Sequence, residues 1–151
     1  MDLFGLSRML ETAGSRERSL EPCQRALSGG LPEEIEVRAL RQLAFQYKRQ
    51  RQHQLAVATW LELKRRPSPL ASEAFEELAI HYEHHQRDPK SAIDFTLAAL
   101  ERLERRVAPC GRPGRTQGPP VQTDVERFTH RLQRLQRKTA RLQSAIKLPI
   151  T

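Results

Sequence analysis

With 151 residues, 38% hydrophobic and only 5% aromatic, the chain is long enough for one domain with a real core, and that core must be built largely on Leu and Ala. Charged residues make up 29%, and no alternating Val/Ile/Thr run reaches five residues, which excludes a strand-rich fold. Cys23 and Cys110 are too few and too far apart for a disulfide framework or a cysteine metal site. The net charge of +8 sits entirely in residues 101–151, where twelve Lys/Arg meet four Asp/Glu, while residues 1–100 hold fourteen of each.

Residues 2–13 read as a helix with Leu3, Leu6 and Leu10 on one face and Asp2 as its cap. A second helix over 16–28 is stopped by Gly29-Gly30, with Pro22 in its first turns blurring the boundary. Pro32 opens the next helix at a first-turn position, with Glu33, Glu34 and Glu36 at the positive end of the dipole, and it runs to about Gln50. Gln52 to Arg65 follows as a helix ending in cations and then Pro67-Ser68-Pro69. Ser72 reads as the N-cap of a helix reaching His85, and Asp88-Pro89 as cap and first residue of the next. Residues 107–120 hold seven Gly/Pro between Ala108 and Pro120 and read as a flexible linker. Beyond it one long helix is expected over Val121 to Lys147. Val125, Phe128, Leu132, Leu135, Leu142 and Ile146 form its heptad seam, and Arg127, Arg131, Arg134, Lys138 and Arg141 its opposite face.

Two stretches repeat each other 35 residues apart. Leu40-x-x-Leu43-Ala44-x-x-Tyr47 returns as Phe75-x-x-Leu78-Ala79-x-x-Tyr82, and Ala56-x-x-x-Trp60 returns as Ala92-x-x-x-Thr96. The small residues let two helices of a hairpin close, and the large ones fill the groove to the next hairpin. The two central hairpins resemble tetratricopeptide repeats. Ser19, Cys23 and Ala26 fall where Ala56, Trp60 and Leu63 fall one repeat later, so residues 1–30 read as a degenerate capping hairpin. The resemblance implies an all-α, TPR-like helical-hairpin solenoid of three hairpins over 1–106, a linker over 107–120, and a basic amphipathic C-terminal helix over 121–151.

The order of features further resembles the C-terminal half of bacterial ribonuclease-H-like (DEDD-type) exonuclease proteins, in which such repeats follow a nuclease domain. The stretches that carry it are Asp2-Leu3-Phe4-Gly5-Leu6-Ser7-Arg8-Met9-Leu10, Tyr82-Glu83-His84-His85 and Arg131-Leu132-Gln133-Arg134-Leu135-Gln136-Arg137-Lys138. In that family the last catalytic aspartate leads into the first helix, and Asp2 matches it. The other carboxylates that a two-metal nuclease needs are upstream in the family and have no counterpart here. The chain alone is therefore expected to be a non-enzyme with no cofactor, with a nuclease domain upstream of it as the open alternative.

Among other candidates, His81 and His85 are spaced for one helix face, with Glu83 and His84 beside them, but the set is not the His-Glu-x-x-His zinc motif. Cys23 falls at a packing position and Cys110 in the linker. The basic tail is readable as a solvated face, as a helix packing its seam on the repeats or on a partner, or as a phosphate grip. Tyr47, Trp60, Phe75 and Tyr82 read as packing residues.

Two functions are expected from these features. The first is a protein-interaction scaffold that presents Arg41, Gln42, Gln46, Lys48, Glu76, Glu77 and His81 to a protein or peptide. The second is an accessory module of a ribonuclease-H-like exonuclease that binds nucleic acid non-specifically through Arg127, Arg131, Arg134, Lys138 and Arg141. No stretch nears the roughly 18 apolar residues of a membrane span. Met1-Asp2-Leu3-Phe4-Gly5 lacks the basic start and apolar run of a secretory leader, so a cytoplasmic location is expected.

Overall fold

A computed structural model describes the backbone of residues 2–107 and 121–146, and these described residues form seven α-helices and no strand. α1 (Leu3–Thr12) begins where the Asp2 carboxylate accepts the Phe4 amide at 3.1 Å, one of the donors a helix start leaves over. α2 (Arg16–Ser28) runs through Pro22 unbroken. α3 (Glu33–Arg49) starts one residue after Pro32, and Glu33, Glu34 and Glu36 fill its first turn as the sequence requires. α4 (His53–Leu63) follows. α5 (Ala71–His84) begins one residue before Ser72, which is buried inside the helix and is not the cap expected from the sequence. α6 (Pro89–Val107) is capped by Asp88, whose carboxylate accepts the amides of Lys90 at 3.1 Å and Ser91 at 3.2 Å. α7 (Val121–Ile146) is the longest helix described. Most of the segment read as a linker, including Cys110, lies outside the described residues.

The two repeated helices end alike. Arg51 after α3 and Arg87 after α5 both take the left-handed conformation, at φ 60° and 54°. The amide after each then reaches back to a tyrosine carbonyl, Gln52 to Tyr47 and Asp88 to Tyr82, both at 2.9 Å. The same closing bond is made although the second turn is one residue longer.

The chain divides into two compact units, Met1–Ala74 and Phe75–Thr151. In the first, α1 packs on α2, α2 on α3, and α3 on α4. Ala39 and Ala44 are fully buried and Ala56 nearly so, which lets the helix axes approach. Leu40, Leu43, Trp60 and Leu63 fill the space this leaves. Each such side chain contributes about 1.5–3 kcal/mol by leaving water. The Trp60 ring meets Phe45 edge-on at 4.9 Å. A polar thread crosses this core. The Ser7 hydroxyl donates to the Ser19 carbonyl at 2.6 Å, the Gln46 amide donates to the Ser19 hydroxyl at 2.7 Å, and the Cys23 thiol lies 3.6 Å from the Ala39 carbonyl.

In the second unit the Tyr82 ring stacks on Phe95 at 5.2 Å, joining α5 to α6. Phe75, Ala99, Leu103 and Phe128 form a core shared by α5, α6 and α7. The α7 seam expected from the sequence holds over its first half. Phe128 and Leu135 are buried and Val125 and Leu132 half-buried, but Leu142 is 48% exposed. None of the described helices is long and apolar enough to cross a membrane.

Candidate binding cavity

In α3, Arg38, Arg41, Gln42, Phe45 and Arg49 fall at i, i+3, i+4, i+7 and i+11 and so share one helix face. Phe4, Arg8 and Glu11 do the same on α1. The two faces line one cavity of about 420 Å³, large enough for a small ligand or a peptide side chain. Gln42 ties the walls together, its amide donating to the Ser7 hydroxyl at 2.9 Å.

The four arginines differ in their partners. Arg49 pairs with Glu11 at 2.8 Å, wall to wall. Arg41 holds Glu73 through both arms of its guanidinium, Nη2 to Oε1 at 2.9 Å and Nε to Oε2. Those hydrogen bonds to Glu73 raise the Arg41 pKa above its ordinary value, outweighing the opposing effect of partial burial. Arg8 and Arg38 are exposed and have no carboxylate partner among the described residues. Phe45 is already engaged, with Trp60 at its edge, the Arg41 guanidinium 5.1 Å from its centre and the Lys48 ammonium at 6.0 Å.

Of the seven partner-binding residues expected from sequence, Arg41 and Gln42 line this cavity, and Lys48 is exposed beside it. Gln46 differs: it is 2% exposed and its amide is spent on Ser19, because the helix turns it toward α2. Glu76, Glu77 and His81 belong to the second unit. Glu76 is bound to Arg127 at 3.1 Å and Arg131 at 3.6 Å, and His81 stacks on His85 at 5.2 Å. Sequence reasoning missed Arg8, Arg38 and Arg49, although the helical spacing of the α3 set was there to be read.

The basic face of α7 is not opposite the seam but flanks it, against α5. Glu83, with a side chain only 3% exposed, receives Arg134 at 2.6 Å, Arg131 at 3.6 Å and Lys138 at 3.8 Å. The same buried carboxylate lies 3.8 Å from Nε2 of its neighbour His84. Four of the five tail cations expected to grip phosphate thus each have a carboxylate within 4 Å. Arg141 has none among the described residues and, with Arg134, Arg137, Lys138 and Leu142, lines a depression near the helix end. Asp2, the residue matched to a catalytic aspartate, is occupied as the cap of α1.

Comparison with family models, curated proteins and solved structures finds no match to the chain.

Proposed function

We propose that this protein is a non-catalytic scaffold of TPR-like hairpins that holds a protein or peptide in the arginine-lined cavity between α1 and α3. The observation that carries this reading is the convergence of four arginines on one concave surface, two of them without a carboxylate partner. Guanidinium groups so placed favour an anionic segment of a partner, because their planar forks match oxyanions bidentately. The solenoid reading is supported by the helix order, by the buried alanines at the repeat positions, and by the matched turns at Arg51 and Arg87. The test is selection of displayed peptides on the purified protein, followed by anisotropy titration. Selected peptides are expected to lose binding to a variant carrying Arg8→Glu and Arg38→Glu, with helicity unchanged. Selection that yields no peptide dependent on these arginines overturns the reading.

The second reading, an accessory module of a ribonuclease-H-like exonuclease that binds nucleic acid through α7, is favoured by one observation, the depression lined by Arg134, Arg137, Lys138 and Arg141. Removing residues 107–151 is a poor test of it, since α7 supplies Phe128 to the core of the second unit. Substituting Arg137 and Arg141 with Gln separates the two readings without opening that core. Duplex binding would fall in this variant, while cavity binding would be unchanged.

A further inference from the structure

The cavity's charge pattern selects among anions, and this step rests on the scaffold reading above. Arg41 and Arg49 already hold Glu73 and Glu11, carboxylates of the same chain that are present at high effective concentration. A ligand bearing one carboxylate gains little by displacing either. Arg8 and Arg38, on opposite walls, lack such partners, and their two positive charges call for two negative ones. A phosphomonoester supplies a charge of about −1.5 to −2 at pH 7 and three acceptor oxygens on one atom. Stacking does not contribute to recognition. The Phe45 ring is engaged by Trp60 and Arg41, and Phe4 is 7% exposed, so no aromatic face is open to a nucleobase. The ligand is read by guanidinium geometry, which favours a phosphorylated side chain over single-stranded nucleic acid.

We propose that the α1–α3 cavity is a phosphopeptide site, in which Arg8 and Arg38 clamp the phosphate dianion of a phosphoserine or phosphothreonine on a partner protein.

No histidine lines the cavity, so any pH dependence between 5.5 and 7.5 reports the second ionisation of the phosphate, near pH 6. The test uses the full chain and three fluorescein-labelled peptide pools with randomised flanks, centred on phosphoserine, glutamate or serine. A labelled single-stranded oligonucleotide is the fourth probe. The phosphoserine pool is expected to bind about tenfold more tightly than the glutamate pool at pH 7.5, and to lose that advantage at pH 5.5. Arg8→Gln and Arg38→Gln should each weaken it about tenfold, with Arg137→Gln as the unaffected control. Glutamate binding as tight as phosphoserine, and equally dependent on Arg8 and Arg38, overturns the phosphate assignment while leaving the scaffold reading intact. Oligonucleotide binding dependent on the same two arginines overturns both. Absence of binding by any peptide pool overturns the phosphopeptide site, and the scaffold reading then rests on the peptide selection alone.

Discussion

Cys23 is fully buried among α2 and α3, and burial is the largest influence on its thiol, pushing its pKa from 9.0 to about 11 against a smaller lowering by the Ser7 hydroxyl. A thiol so protonated is a poor nucleophile. In a Cys110→Ser variant, the remaining thiol should resist a chromogenic disulfide reagent at pH 8 until denaturant is added; prompt labelling of the native protein contradicts the burial. The folded state keeps the proton longer than the unfolded chain does, so its contribution is intact below about pH 9 and is lost as pH rises through about 11. Urea midpoints measured at pH 8, 9.5 and 10.5 should therefore decline, and less steeply for Cys23→Ala. The same absence of space governs the repeat alanines. Ala44 and Ala79 are fully buried, so replacing either with Leu should overpack the core and cost about 1–3 kcal/mol. Unchanged melting for both variants would sink the repeat register from which those positions were chosen.

At the scale of helices, boundaries and the pairing of neighbours into hairpins were legible, and packing between helices distant in sequence was not. Asp2, Pro32 and Asp88-Pro89 announce helix starts because capping and the proline ring act within a few residues. Ser72 misled for the same local reason: it has the chemistry of a cap, but its place in the buried face decided otherwise. The α1–α3 cavity was half legible, since spacing places Arg38, Arg41 and Phe45 on one face, yet nothing local says that Arg8 faces them. The attachment of α7 was illegible because Glu83 and Arg134 lie 51 residues apart. Glu83 carries a test of that attachment. Its carboxylate is buried while Arg134 and Lys138 remain about half exposed, so Glu83→Gln removes a well-placed charge from partners that water partly screens. The expected cost is about 1–3 kcal/mol, below that of a fully buried pair. Amide exchange should accelerate along α7 and not along α3. Uniform exchange across both helices would mean that the seam residues alone hold α7 in place.

For the whole molecule, the uneven charge has to be weighed after pairing, not before. The sequence places the entire excess of +8 beyond residue 100. Taken alone, that invites a nucleic-acid reading of the five tail cations. Folding gives Arg127, Arg131, Arg134 and Lys138 carboxylate partners in Glu76 and Glu83, and leaves Arg137 and Arg141 without any among the described residues. A phosphate that approached the paired cations would have to compete with those carboxylates. The logarithm of duplex affinity falls with the logarithm of salt by about 0.9 for each phosphate neutralised, so five free cations would give a slope of about −4.5 and two a slope of about −2. The shallower slope is expected between roughly 50 and 200 mM salt, vanishing when Arg137 and Arg141 become Gln. A slope near −4.5 would require α7 to leave Glu76 and Glu83 when it meets DNA. Glu83→Gln should then tighten duplex binding, because the ion pairs that oppose release would already be weakened.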